Sequence, residues 1–452
     1  MIVIKIILGL IGLGIVVFVH ELGHFLSARL CGITVDAFSI GWGKPILKKK
    51  IGGVEYRLGM FPLGGYCKMR GDNDYKEVYE KIKKGIEPEK GSFFSASPLR
   101  RILVSFAGPL FNLLFALIVL SVIWGAGFQM PTMSNCIVLA SEVYPDEHYP
   151  ADDAGLRTGD RIIEINNKKI FYYHEIQENI ATNPEKRLAL TIERDNEIIM
   201  MDITPVLEKT TGAGKIGIIS WVDPVLGSVK ENSPASRAGL KGGDRILEVN
   251  NHKIRHSMDL VAILKAKPEL LLIDYERNAE KMQTELVPEY PDGKDAVLGL
   301  QWELIQYNSP ALPFHKAIVK GTQEVWNTLK LTLSSFRLLF KGIDLTKAVS
   351  GPVRITYMMG DIAAEGFGQS MGTGFRSMGN FLALISIALC IMNLLPLPVL
   401  DGGMIILFII EFITRRPLNP RATTVFQVFG IVFICCLMIF ALFGDILFLV
   451  QK

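Results

Sequence analysis

The sequence predicts a polytopic α-helical membrane protein with a β-rich portion inserted midway along the chain. Three observations predict it. Hydrophobic residues fill 49% of the 452 positions, more than a wholly water-soluble chain of this length carries. Three long runs, at 102–128, 377–400 and 422–444, contain no charged residue. Between the first two lies a charged segment in which one sequence pattern occurs twice, offset by 84 residues. Charged residues still make up 21% of the chain, so it is not embedded throughout. A net charge of +3 gives no case for a nucleic-acid partner. The six cysteines form no Cys-x-x-Cys pair, which argues against disulfides and cysteine-bound zinc.

A membrane span needs about 20 apolar residues, and the three uncharged runs each satisfy this. Residues 6–28 make a fourth candidate, apolar except for His20, Glu21 and His24 near its far end. Lys5 ahead of an apolar core also suits a signal peptide, but no small-residue cleavage pattern follows. The expectation is therefore four transmembrane helices. Residues 44–101 carry fourteen Lys/Arg against seven Asp/Glu, and Arg415, Arg416 and Arg421 lie between the last two spans. Both basic stretches belong in the cytoplasm, which places the termini and the segment 129–376 on the opposite side.

Within that segment Pro150-Ala151-Asp152-Asp153-Ala154-Gly155-Leu156 recurs as Pro234-Ala235-Ser236-Arg237-Ala238-Gly239-Leu240. Gly159-Asp160-Arg161-Ile162 and Gly243-Asp244-Arg245-Ile246 keep the offset, as do Asn166-Asn167 and Asn250-Asn251. The period is too long for a solenoid and fits a duplicated small domain. Alternation at Ile163/Ile165 and Leu247/Val249 suits half-buried strands. The succession of turn, strand and turn resembles PDZ domains in tandem. From 314 to 340, Ile318, Val325, Leu329, Leu333, Phe336 and Phe340 mark an amphipathic helix with Lys316, Lys320, Lys330 and Arg337 interleaved. Such a helix lies on the bilayer surface or packs on the protein.

The chemistry is concentrated in His20-Glu21-Leu22-Gly23-His24. A spacing of four puts both imidazoles on one helical face, where they can bind one Zn²⁺, and sets Glu21 beside it. Ionisable groups within a span are costly unless they are paired or functional. Catalytic zinc takes three protein ligands and leaves a fourth position open. Asp401 is the best third ligand, because it ends the uncharged run 377–400 at a depth matching His20, roughly 12–13 Å from the inner end at about 1.5 Å per residue.

These residues carry a family resemblance. His-Glu-Leu-Gly-His in the first span, Ala107-Gly108-Pro109-Leu110-Phe111-Asn112 in the second, the tandem repeats, and Asn393-Leu394-Leu395-Pro396-Leu397-Pro398-Val399-Leu400-Asp401-Gly402 in the third resemble the site-2 protease family. The similarity is to its bacterial RseP/RasP branch of intramembrane zinc metalloproteases. It implies zinc on His20, His24 and Asp401, with Glu21 as general base. It implies membrane-dipping hairpin elements at 39–45, around Gly41 and Gly43, and at 56–66, with a strand edge to capture the substrate backbone, and backbone contacts from Asn393 in a helix broken by Pro396 and Pro398. Asn112 is placed either for substrate contact or for packing between helices.

The expected organisation is 1–128, an N-terminal membrane part with two spans and the hairpin loop; 129–222 and 223–307, two PDZ-like domains; 308–376, an amphipathic juxtamembrane segment; and 377–452, a C-terminal membrane part with two spans. The implied activity is regulated intramembrane proteolysis of single-span proteins, anti-sigma factors or remnant signal peptides, after a cut on the outer side. The implied setting is a bacterial inner membrane, with the active site toward the cytoplasm and the PDZ-like domains outside. Partners are then those substrates, membrane lipid and peptide C-termini at the repeats. A catalytically silent PDZ scaffold and a surface zinc protease are the competing readings. The run Lys48-Lys49-Lys50 reads as a topology signal or lipid-headgroup contact. His148, His174, His252, His256 and His315 have no ligand spacing.

Overall fold

The computed structural model describes residues 2–72, 77–80, 84, 89–145, 147–209, 212–291, 295–339 and 351–450. The chain forms two compact units, one of Met1–Phe128 with Ser309–Lys452 and one of Gln129–Asn308. Among the described residues four helices are long and apolar enough to cross a membrane: Lys5–Leu30, Pro98–Ala126, Met371–Leu394 and Pro420–Ile446.

The first helix, α1, runs Ile2–Leu30. In lipid every backbone group must be satisfied within the segment, so an unbroken apolar run becomes helix. Two strands follow, β1 (Val35–Ile51) and β2 (Val54–Met69), and they curl on each other. Residues 37–40 pair with 55–58 on one side and with 65–68 on the other, while 47–51 pair with 54–58. The result is a small four-segment sheet, antiparallel except where 37–40 runs beside 55–58. Gly41 and Gly43, with φ of 83° and 90°, supply the left-handed backbone at the bend that lets β1 pair twice. Helix α2, Pro98–Ala126, begins with proline in its first turn, where the missing N–H costs nothing.

The second unit is a duplicated lobe. In the first lobe β3 (Arg161–Ile165), β4 (Lys168–Lys169), β5 (Leu188–Arg194) and β6 (Glu197–Ile203) form a sheet in the order β4-β3-β5-β6, accompanied by α3 (Tyr173–Ala181). The second lobe repeats this with β7 (Arg245–Val249), β8 (His252–Lys253), β9 (Leu271–Arg277), β10 (Glu280–Leu286) and α4 (Ser257–Leu264), in the order β8-β7-β9-β10. The repeated Asn pairs are the tight turns β3–β4 and β7–β8, all four residues having positive φ, which asparagine tolerates. Asp160 accepts two hydrogen bonds from Arg194, both of 2.7 Å, and Asp244 accepts two from Arg277, of 2.6 and 2.8 Å. Each lobe has its own core, around Ile162, Ile176 and Leu190 in the first and around Ile246, Leu260 and Ile273 in the second.

The chain then forms α5 (Phe314–Leu339), α6 (Pro352–Gln369), α7 (Met371–Leu394), α8 (Asp401–Thr414) and α9 (Pro420–Val450). Of the two placements expected for the amphipathic helix, the structure shows packing on the protein. Ala317 faces Gly125 and Gly321 meets Ser121, so α5 runs antiparallel along α2 and packs on the protein, not flat on a bilayer surface. Phe340 lies outside the described residues. Helix α6 lies antiparallel along α1, with Gly9 against Thr356 and Gly360 against the Lys5 backbone. Its N-terminus is capped from α9, where the buried Asp445 carboxylate accepts from the Gly351 and Val353 backbone N–H groups at 2.9 and 3.0 Å.

The third span is broken at Pro396 and Pro398, as the resemblance implies. Its uncharged run continues to Leu400, but the helix stops at Leu394 and restarts at Asp401. Pro396 and Pro398 cannot extend α7, because proline lacks the N–H and clashes with the preceding turn.

Candidate active site

The site is assembled where α1, α2, α7 and α8 meet. His20 and His24 are one turn apart on α1, their Nε2 atoms 3.2 Å from each other. Gly23 and Gly108 allow α1 and α2 to approach this closely. A Cβ on Gly23 would sit 2.4 Å from the Ala107 carbonyl oxygen, and one on Gly108 would sit 2.4 Å from His24 Nε2. Asp401, the first residue of α8, reaches both imidazoles, with Oδ2 3.3 Å from His20 Nε2 and Oδ1 3.4 Å from His24 Nε2. Two imidazole nitrogens and a carboxylate oxygen thus lie within 4.8 Å of one another.

The helix break makes this possible. It frees Asp401 at a helix start, at the depth of His20. Val399 takes a φ of 76° in the break, a conformation costing a β-branched residue roughly 1–3 kcal/mol. The other end of α8 is fixed by Glu411, which accepts hydrogen bonds from both terminal nitrogens of Arg101 on α2 at 3.1 and 2.7 Å. Arg101 also stacks between Phe94 and Phe408. The bidentate pair sets the register of α8 on α2, and with it the position of Asp401.

The donor set suits a metal ion. The Nδ1 of His24 lies 2.8 Å from the Val104 carbonyl oxygen, an atom that only accepts. Nδ1 therefore carries the proton, and the Nε2 lone pair faces Asp401, as metal ligation requires.

Glu21 is half-buried on the same helix. A Cβ on Gly65 would lie 3.0 Å from Glu21 Cγ, so β2 crosses directly over this side chain. Residues 65–69 pair with β1 on one side and with no other strand among the described residues. The edge strand of the sheet therefore passes the carboxylate, with the Gly65 carbonyl accepting from Trp42 Nε1 at 3.2 Å and the Met69 N–H donating to Asp72 Oδ2 at 3.1 Å. Gly41 and Gly43 stand at the bend of β1 and not on this edge. Asn393 Nδ2 is 3.3 Å from His20 Nε2. Pro396 is exposed in the break, whereas Pro398 is buried against Gly430 of α9, in a packing position. Asn112 is fully buried against His20. An apolar cavity of about 650 Å³ opens between α1 and the sheet, lined by Phe18, Leu22, Phe25, Phe38, Tyr56 and Leu58.

Sequence reasoning missed the Arg101–Glu411 tie and the Val104 carbonyl. Glu411 had a visible signal as a lone charge interrupting an apolar stretch, and Arg101 borders one beside Arg100. The Val104 carbonyl is a backbone feature without one.

Two histidines and a carboxylate between membrane-spanning helices, with a glutamate alongside, define a membrane-embedded metallopeptidase. The model of Peptidase family M50 matches residues 8–437, and the chain belongs to this family, the site-2 proteases. Among its relatives, a Treponema pallidum protein whose name places it among zinc metalloproteases is 36% identical over 448 residues, covering 99% of both chains. The regulator of sigma-E protease RseP of Escherichia coli is 30% identical over 460 residues, covering 96% of this chain and 97% of its own. The regulator of sigma E protease of Haemophilus influenzae is 32% identical over 456 residues, covering 97% of both.

Proposed function

We propose that this protein is an intramembrane zinc endopeptidase that cuts transmembrane segments of single-span proteins already trimmed on the outer side. The observation that carries the reading is the meeting of His20, His24 and Asp401 between membrane helices, with Glu21 under the edge strand of the β1–β2 sheet. His20, His24 and Asp401 hold the zinc, which when bound supplies an acidified water and Lewis-acid polarisation. Glu21 takes up the proton and returns it to the leaving amine.

A peptide bond in a membrane helix is shielded by its own hydrogen bonds, so the substrate must unwind before cleavage. An extended segment pairs along the edge at 65–69, as in strand addition, by exchanging for the contacts that Trp42 and Asp72 make to Gly65 and Met69. The apolar cavity between α1 and the sheet suits the side chains of such a segment. Asn393 adds an amide within reach of the substrate backbone.

The two lobes, with boundaries near 129–222 and 223–307, are PDZ-like domains that screen substrates by their outer portion. In the first lobe a groove of about 210 Å³ runs between α3 and residues 214–218, floored by Tyr173, Ile176 and Ile180, a shape that takes a peptide end. The basic loops place the start of α2 and the turn after α8 in the cytoplasm, with the lobes outside a bacterial inner membrane.

The test uses Glu21→Gln, which keeps size and removes the base. Cleavage of a model single-span substrate should fall at least about 100-fold while zinc content stays unchanged. A matched substrate without its hydrophobic segment should be left intact by the wild type. Its efficient cleavage would favour a surface protease instead.

A further inference from the structure

Asn112 lies at the middle of α2 and is fully buried. Its main chain is tied to α7, because Ser386 Oγ donates to the Asn112 carbonyl at 2.9 Å. Its side chain has one neighbour of consequence. Nδ2 is 3.3 Å from His20 Nδ1, and Oδ1 is buried with no hydrogen-bond partner. Leaving a buried amide oxygen unpaired is costly, so the arrangement calls for an explanation.

The proton on His20 supplies one. A neutral imidazole has a single N–H, and the nitrogen that ligates a metal must be the other one. Nε2 of His20 faces His24, Asp401 and the Asn393 amide nitrogen, so in the ligating form Nδ1 carries the proton and needs an acceptor. For His24 that acceptor is the Val104 carbonyl, which leaves no choice of tautomer. The atom facing His20 Nδ1 belongs to an amide, which can present either end. With Nδ2 forward, Asn112 donates to Nδ1, and the His20 proton sits on Nε2 against Asp401. With the amide turned over, Oδ1 accepts from Nδ1–H, and the Nε2 lone pair is released toward the metal position.

We infer that Asn112 is a positioning residue whose amide selects the tautomer of His20, presenting Oδ1 to Nδ1–H when the metal site is filled. This rests on the metal-site reading above. It assigns to Asn112 neither of the expected roles, contact with substrate or simple packing. The two histidines therefore differ: His24 is preset as a ligand by the backbone, and His20 is set by a side chain that turns.

The test uses the full-length protein in detergent micelles. Zinc affinity is measured by competition with a chromophoric chelator for wild type, Asn112→Leu, Asn112→Asp and His24→Ala. Outer-shell acceptors of ligating histidines are worth about 10- to 100-fold in metal affinity. Asn112→Leu, near in size but with no acceptor, should lose that much, and Asn112→Asp, which keeps an acceptor oxygen, should retain wild-type affinity. Wild-type affinity in Asn112→Leu, or equal losses in both variants, would overturn the inference. A second measurement needs no variant to fold. Cobalt-substituted wild type should show two hyperfine-shifted, exchangeable imidazole N–H resonances protected from solvent, one for each histidine. A single protected resonance would overturn the inference. Undiminished affinity in His24→Ala would instead overturn the underlying metal reading.

Discussion

Asp160 and Asp244, one repeat apart, each hold an arginine by two hydrogen bonds of nearly the same length, and each arginine also reaches a glycine carbonyl at 2.8 Å. The polar ties of the helical unit occur once each: Arg101 with Glu411, Asp445 with the start of α6, and the His20–His24–Asp401 cluster. The β-rich unit is thus built from a local pattern used twice, with water at hand around its rims. The helical unit joins residues hundreds of positions apart where no water stands in for a lost partner. A single substitution should therefore act very differently in the two.

The largest effect on stability is expected at Arg101. Replacing one member of a buried ion pair strands the other, at a cost of about 3–5 kcal/mol. Arg101→Met should lower thermal stability in micelles by that amount and reduce proteolysis, because α8 and Asp401 lose their register. The double variant Arg101→Met with Glu411→Leu should recover most of the stability. A double variant as unstable as the single one would show that the pair is not what holds α8.

A smaller effect is expected from the repeat. Asp160→Ala and Asp244→Ala each leave an arginine that is partly solvated, with side-chain exposures of 17% and 24%, so losses of about 1–3 kcal/mol should follow. Because the two geometries match, the two losses should agree to within about 0.5 kcal/mol. Denaturant melts of the two variants compare them. Strongly unequal values would show that the lobes differ in more than sequence.

The smallest effect concerns a position where the lobes differ in a buried side chain. At the start of the lobe helix Tyr172 in the first lobe is replaced by His256 in the second. The His256 ring is 1% exposed, lies edge-on to Trp221, and has no hydrogen bond on either nitrogen. Burial holds its pKa below the ordinary 6.5, although Asp259 nearby pulls the other way and Arg255 adds to the lowering. The unfolded chain therefore binds this proton first, and stability present above about pH 6.5 is lost as the pH falls below it. Melting temperatures at pH 5 and pH 8 should differ less in His256→Phe than in wild type. An equal pH dependence in both would remove His256 as the cause.

Local rules made much of this legible in the sequence. Four apolar segments, the His-x-x-x-His face of α1 and the 84-residue repeat are readable within one helix or one period. The depth of Asp401 could be counted along its run because rise per residue is fixed. What escaped depends on contacts between distant segments. That α5 and α6 lie along α2 and α1 follows from Gly321 meeting Ser121 and Gly9 meeting Thr356, and nothing in 309–376 announces these partners. Gly41 and Gly43 drew attention as punctuation in a strand, yet the edge that meets Glu21 is at 65–69, because β1 folds back and pairs on both sides.

The central claim is that His20, His24 and Asp401, brought together across 381 positions of sequence, act as one zinc site. Elemental analysis of purified wild type and Asp401→Ala, at matched folding state, tests it most directly. About one zinc per chain is expected in the wild type and almost none in the variant. Zinc retained at full occupancy in Asp401→Ala would remove the carboxylate from the site and contradict the account.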